Sequence, residues 1–360
     1  MVAQPNPPEA DLLPHSRYTV ALERQIETLN FMRTMKPFNT VARVVSRERG
    51  RRNAAENDYR LDIAVAEALE RAQPYLWGRE MVDLLEANVN ALEEWTLHKT
   101  DVHHPFGYIW FERPLQIFRD DPEEIRAFCW EPIERGGKRQ APLFAGGPGL
   151  GLGHRYNELV GSEEGYLVTA FTGYPAGTNQ GLPSMNVATG SPRTPIFWPV
   201  NSTLSEFIGG IKEHYENPEF RRQVQVVAGL PPLRHAAQMT EFARIFAACT
   251  ALINQKITRI AGAPADRPAR RRAQAILKRP DVPLTRVVLL RQIEYIRTGE
   301  ASEPGEGVDW AYRWTVKGHW RKQWYPSENR HKSIYVHGYV KGPANRPFKP
   351  GGIDITGVVR

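Results

Sequence analysis

The sequence predicts an α+β protein: a flexible tail at 1–16, a helical and antiparallel-sheet body at 17–280, and a small basic β-rich C-terminal module at 285–360. Three observations carry that prediction. Apolar residues recur every three or four positions within 60–97 and 203–260, the spacing of amphipathic helices. Short aromatic and β-branched runs between residues 106 and 200 have the composition of strands. Residues 310–360 hold ten Lys/Arg against Glu328 and Asp354, a net +8 in a chain whose total is +7, and four of its nine tryptophans. The first 309 residues therefore sum to −1. A charge balance this uneven argues that the C-terminus meets something anionic, and the interleaved aromatics point to nucleic acid before membrane.

The elements follow in order. The Pro-rich start, through Ser16, lacks a basic region followed by an apolar run, so it reads as a mobile tail and not as a secretory signal. Residues 17–45 have a helical pattern that Pro37 interrupts, and 47–58 are polar enough for a loop or an exposed helix end. Helices are expected at 60–75 and 79–97, the second with Met81, Leu84, Leu85, Leu92 and Trp95 on one stripe. After Pro105, residues 106–112 and 125–131 predict paired strands on either side of Asp120, Asp121 and Pro122. Residues 166–172 and 195–200 predict further strands of the same sheet, and Gly-rich loops fill 146–153 and 173–194.

Helix is expected again at 203–227 and 235–260, where Met239, Phe242, Phe246, Cys249, Ile253, Ile257 and Ile260 form a core-facing stripe. The basic stretch 266–279, closed by Pro280 and Pro283, is the best candidate for a boundary. Beyond it, 286–296 predicts a strand and 298–309 an acidic loop. Residues 310–325 and 331–341 predict a hairpin whose loop, 326–330, has about five residues, and 353–359 a closing strand.

Composition excludes several classes. The apolar fraction of 41% and charged fraction of 24% are those of an ordinary globular chain, and 360 residues suffice for a sizeable core. Cys129 and Cys249 lie too far apart in sequence, and are too few, for a disulfide framework or an all-thiolate zinc site. No apolar stretch is long enough for a membrane span, so no membrane partner is expected, and a reducing cytoplasm is the simplest setting.

Alternation along the predicted hairpin sorts its side chains. In the first arm Tyr312, Trp314, Val316, Gly318 and Trp320 fall on one side, and Arg313, Thr315, Lys317, His319, Arg321 and Gln323 on the other. In the second arm Ile334, Val336, Gly338 and Val340 make an apolar face, opposite His331, Ser333, Tyr335, His337, Tyr339 and Lys341. Pairing the two apolar faces places Trp314 and Trp320 in the core. It gathers Arg313, Lys317, His319, Arg321, Tyr335, Tyr339 and Lys341 on the outside as a candidate nucleic-acid-binding surface. Cations there suit phosphates, and flat rings suit unstacked bases. A cationic face also protects a hairpin from edge-to-edge aggregation with nothing bound.

The same face could serve a metal-independent ribonuclease, with His319, His331 and His337 supplying an acid and a base. Their spacing is tied to no mechanism, and the pattern favours binding over catalysis. A third reading is a protein-interaction module anchored by exposed aromatics. Elsewhere, the glycine-dense stretch 145–154 lacks the Gly-Lys-Ser/Thr end of a phosphate loop and does not match Gly-x-Gly-x-x-Gly. His98, Asp101, His103 and His104 read more simply as solvated residues at a helix end than as metal ligands. The basic runs 43–52 and 267–279 could extend an RNA path or be solvated faces. Both cysteines sit in apolar patterns, where a buried inert thiol is the default. No cofactor or metal is called for.

The run from Trp314 to Ser327, then His331, then Ile334 to Pro343, resembles a C-terminal module of uncharacterised actinobacterial and actinophage proteins: a Gly-His-Trp-Arg strand, a turn, and a second strand ending in Lys/Arg-Gly. More distantly it resembles the C-terminal part of the type V-A anti-CRISPR family that acts on effector biogenesis and its messenger RNA. There too, helices and an aromatic sheet precede the module. The specific part covers residues 310–360. The resemblance implies a phage or other mobile-element protein that engages RNA, a ribosome or ribonucleoprotein, a host protein or a nascent chain, without a known nuclease centre. Gly318, His319, Trp320, Arg321, Lys341 and Gly342 match well enough to inherit a role in binding. Residues 1–285 depart from that family, so its target is not carried over.

Overall fold

The computed structural model describes residues 15–48, 65–116, 123–134, 163–173, 191–192, 196–216, 218, 232–290, 312–316, 318–336, 338–342 and 346–347. Within them, period-two alternation builds a sheet buried on both faces. On strand β2 (Gly107–Gln116), Ile109 and Phe111 enter one apolar cluster while Tyr108 and Trp110 enter another. Strand β1 (Gln73–Trp77) divides likewise, with Tyr75 and Trp77 on the first side and Leu76 on the second. A sheet covered on both faces needs apolar residues at nearly every position, and the aromatic runs supply them.

The other strands of this sheet are β3 (Glu124–Ile133), β4 (Gly165–Gly173), β5 (Ser191–Pro192), β6 (Ile196–Pro199), β7 (Thr258–Ala263) and β8 (Thr285–Leu290). Their order is β5-β4-β3-β2-β1-β8-β7, with β6 also on β4. The expected pairing of 106–112 with 125–131 is antiparallel, as β2 on β3, and β4 and β6 belong to the same sheet. The sheet as a whole is mixed, because β1 pairs parallel with both β2 and β8.

Helices flank both faces. On one side lie α1 (His15–Glu48), α2 (residues 65–71) and α6 (Arg267–Leu277), through Tyr18, Leu22, Leu69, Ala269 and Leu277 among others. On the other lie α3 (Arg79–Asn88), α4 (Leu204–Glu216) and α5 (Pro232–Ile253). Aromatic packing fastens α5 to the sheet: Phe246 meets Phe128, Trp130 and Trp198 with ring centroids 5.9 to 6.3 Å apart. Trp198 in turn stacks on Phe207 of α4 at 5.1 Å. Such pairs each add about 0.5–1.5 kcal/mol beyond the area they bury.

Several expectations change. Helix α1 continues through Pro37, since a proline, which lacks a backbone N–H, costs one helical hydrogen bond without necessarily ending a helix. Residues 73–75, expected as the end of a helix, open β1, since an apolar run as short as Pro74 to Trp77 carries no periodicity that separates a buried strand from a helix. The long stripe of α5 stops at Ile253, and Ile260 lies on β7. The turn between them is closed by Gln255 and Thr258, whose N–H groups donate to Leu252 and Gln255 carbonyls. The basic stretch expected as a boundary is helix α6, capped by the Asp266 carboxylate on the Ala269 N–H at 2.8 Å and ended by Lys278 in the left-handed region. The next strand, β8, pairs with β1 near the middle of the sheet.

The helix expected at 79–97 stops at Asn88: Met81 and Leu85 are buried on α3 with Leu84 half-buried, and Leu92 and Trp95 are buried beyond its end. Cys129 and Cys249 are free and buried, and burial pushes both thiols well above their usual range. Among the described residues no helix is long and apolar enough to cross a membrane. Residues 49–58, and the expected elements at 146–153, 298–309 and 353–359, lie outside the described residues, while 47 and 48 end helix α1.

Candidate nucleic-acid interface

The C-terminal module forms two short antiparallel ladders. Strand β10 (His319–Tyr325) pairs with β11 (Arg330–Val336), and β9 (Trp314–Val316) with β12 (Tyr339–Lys341). The loop between β10 and β11 has four residues, Pro326, Ser327, Glu328 and Asn329, because Tyr325 pairs with Arg330. Its geometry explains the length. The Glu328 N–H donates to the Tyr325 carbonyl at 3.1 Å, and Asn329 then takes a left-handed φ of 50°. Asparagine tolerates that conformation, which returns the chain to the ladder one residue earlier than a five-residue loop would.

One residue of register moves every side chain to the other face. Trp320 lies opposite Tyr335, Lys322 opposite Ser333 and Trp324 opposite His331, so these six share a face. The second face holds His319, Arg321, Gln323 and Tyr325 opposite Val336, Ile334, Lys332 and Arg330. Tyr335 therefore does not join His319 and Arg321. It pairs with Trp320, ring centroids 5.3 Å apart, and both rings pack against the cluster that also covers α3 and α5. Burial raises the Tyr335 phenol above its usual range, opposed by a hydrogen bond with the Asn88 side chain.

The free edge of β11 is held by one side chain. Gln255, just beyond α5, accepts from the Tyr335 N–H at 2.8 Å and donates to the Ser333 carbonyl at 3.2 Å. An amide side chain thus stands where another strand would pair, which covers an edge that otherwise invites aggregation. Lys322 reaches back to Glu94 at 2.5 Å. At the tip, Glu328 accepts from Arg330 at 2.9 Å and Lys332 at 2.5 Å, and these bonds hold its carboxyl below the usual range.

Between the hairpin and the body runs a cleft of about 970 Å³, lined by His98, Asp101, Asn254 and Lys256 on one side and Tyr325, Arg330, His331 and Lys332 on the other. Burial raises the Asp101 carboxyl, while the nearby Arg330 and Lys332 charges pull it back down. The four candidates around residue 100 do not converge on a point. His98 Nδ1 lies 3.0 Å from Asn201 Oδ1, His103 Nε2 lies 2.9 Å from Asn254 Oδ1, and His104 Nδ1 lies 2.5 Å from the Tyr75 hydroxyl. Asp101 accepts from the His98 N–H at 3.1 Å. Among the described residues no three metal-ligating side chains come together.

The remaining predicted residues are scattered. Arg321 is exposed and donates to Gln323 at 2.8 Å, and His319 is exposed beside it. Tyr339 is exposed opposite Val316, and Lys341 opposite Trp314, its Nζ 5.8 Å from the indole centre. Arg313 is half-buried, its N–H donating to the Pro347 carbonyl at 2.9 Å. Lys317 and His337 lie outside the described residues. Of the proposed catalytic histidines, His331 leans on Trp324 at 5.0 Å and belongs to the face opposite His319, so these two cannot act as an acid–base pair. Trp314 and Trp320 are half-buried instead of fully inside.

Two rings missed in sequence are prominent here. Trp324 is 45% exposed and Tyr312 43%, on the same module as exposed Tyr339. Alternation assigned Tyr312 to an apolar face and left Trp324 unassigned, and a two-stranded ladder has too little body behind it to cover a face along its whole length.

No family model and no curated protein matches this sequence. A solved crystal structure of AcrVA2, a type V-A anti-CRISPR protein, is similar with a TM-score of 0.32 and 9% identity, over 91% of this chain and 99% of that chain.

Proposed function

We propose that the C-terminal module binds single-stranded RNA, free or within a ribonucleoprotein. One observation carries the reading: a module within a segment of net +8 leaves rings and cations exposed along its strands, with Tyr312, Trp324 and Tyr339 as rings and Arg321 and Lys341 as cations, Trp324 and Arg321 on opposite faces of the β10–β11 ladder. Soluble folds seldom leave several aromatics uncovered on one small module, and stacked bases are a natural cover for them. Arg321 and Lys341 then neutralise phosphates, the exposed rings stack bases, and His319 donates hydrogen bonds. Tyr335 is an anchor to the body and touches no RNA. The Glu328 cluster with Arg330 and Lys332 fixes the tip. A mobile-element role, interfering with host gene expression or defence, is proposed with it on the module's sequence resemblance.

The test is a salt titration of affinity for a labelled single-stranded oligonucleotide. Each phosphate neutralised contributes a slope of about −0.7 in log K against log salt, so Arg321→Gln is expected to flatten the slope by roughly that amount. Affinity independent of salt contradicts the reading and favours a protein partner held by the same rings.

A further inference from the structure

Helix α6 carries a second cationic surface, on the far side of the sheet. Its sequence, RPARRRAQAIL, contains no Asp or Glu, and it buries only Ala269, Ala273 and Leu277. Arg267, Arg270, Arg271 and Arg272 are all exposed, and Lys278 continues them at the C-cap. Arg272 pairs with Glu23 of α1. Arg267, Arg270 and Arg271 have no ion-pair partner among the described residues, and their spacing of three and four places them side by side.

Folding gives no reason for that choice. Like charges three and four positions apart repel, and cations in the first turn oppose the positive end of the helix dipole. Acidic or neutral residues would hold the same buried alanine face at lower cost. The helix cations are also all arginine, whose planar fork matches the oxygens of a phosphate where a lysine offers a point charge. Residues 267 to 271 span about 6 Å along the helix, short enough for one stretch of nucleic-acid backbone to meet all three side chains.

We propose that the outer face of α6 is a separate phosphate-binding surface for RNA. Because α6 packs with α1 on one face of the sheet, and Trp320 and Tyr335 pack on the other, an RNA segment held there is distinct from the one on the hairpin. One protein molecule thereby holds two RNA segments. The proposal shares its ligand class with the hairpin but none of its residues.

The experiment measures stoichiometry and salt slope with a 10-nucleotide single-stranded oligouridine, too short to pass round the body. It compares the intact chain, R267Q/R270Q/R271Q, and R321Q/K341Q. All substituted side chains are exposed, and unchanged thermal melting confirms that each variant folds. The intact chain is expected to bind two oligonucleotides, and the α6 variant one, with loss of a component whose slope is about −2, from three cations at roughly 0.7 each. An α6 variant that keeps the intact chain's stoichiometry and slope overturns the proposal. Loss of one oligonucleotide in the α6 variant but none in the hairpin variant supports the α6 site and overturns the hairpin reading instead.

Discussion

Trp320 stands directly opposite Tyr335 on β10 and β11, the rings 5.3 Å apart with their planes at 68°, and both lie against the body of the protein. This pair holds one end of that face against the body, while Trp324 toward the tip of the same face stays exposed. A ladder whose two large rings are turned inward presents His319 and Arg321 on its other face. Gly318 belongs to the same arrangement, since a Cβ there would run into the Tyr335 hydroxyl.

Trp320→Ala is expected to loosen the hairpin. Complete burial of a tryptophan is lost at about 3–5 kcal/mol on truncation, so a half-buried ring should cost roughly 1–2 kcal/mol. Amide hydrogen exchange along β10 and β11 would report it, as faster exchange in those strands with little change in β1 to β4. Gly318→Ala should act in the same direction by displacing Tyr335.

Gln255 offers an independent check on the docking. Gln255→Ala leaves the Tyr335 N–H and Ser333 carbonyl without their side-chain partner, a loss of about 1–3 kcal/mol if water does not replace it. Gln255→Glu keeps the acceptor for Tyr335 but sets a carboxylate against the Ser333 carbonyl, and should be no better than alanine. The exchange rate of the Tyr335 amide separates these variants from the intact chain.

The body has its own pH signature. Burial, and then the Arg286 and His103 charges, lower the His104 pKa to about 4, and its Nδ1 shares a hydrogen bond with the Tyr75 hydroxyl, whose phenol burial keeps protonated. Since the unfolded ring titrates near 6.5, the unfolded chain binds more protons between those values. Stability is therefore fully present above pH 6.5 and falls as the pH drops toward 4, by about 1–2 kcal/mol after allowance for solvent screening of a half-exposed ring. Denaturant melts across that range should show the slope, and His104→Asn should remove most of it.

The separation of His319 from His331 predicts the outcome of a cleavage assay. With the imidazoles on opposite faces, labelled RNA incubated with the protein should remain intact on a denaturing gel. His319→Ala should weaken RNA binding severalfold without altering that result. Cleavage that disappears in either histidine variant would revive the nuclease reading.

Much of the body is legible in the sequence, because long periodic stretches and aromatic runs report burial directly. Met81 and Leu85 on α3, and the β2–β3 pair, are examples. What escapes is decided by single residues or by neighbours far along the chain. Gln73–Trp77 is a strand because β2 and β8 lie on either side of it, and nothing within five residues announces them. The hairpin faces turn on Asn329 closing a loop of four residues, a signal present in the sequence but worth only one position. That position exchanged Tyr335 for a different set of neighbours. The remaining candidates, His319, Arg321, Tyr339 and Lys341, stay exposed because their own strands have little body behind them.

The most direct measurement is ultraviolet crosslinking of the full chain to single-stranded RNA, with the attached residues mapped by mass spectrometry. The account predicts adducts at Trp324, Tyr312 or Tyr339 and none at Tyr335. An adduct at Tyr335, or adducts confined to residues outside the module and α6, would contradict it.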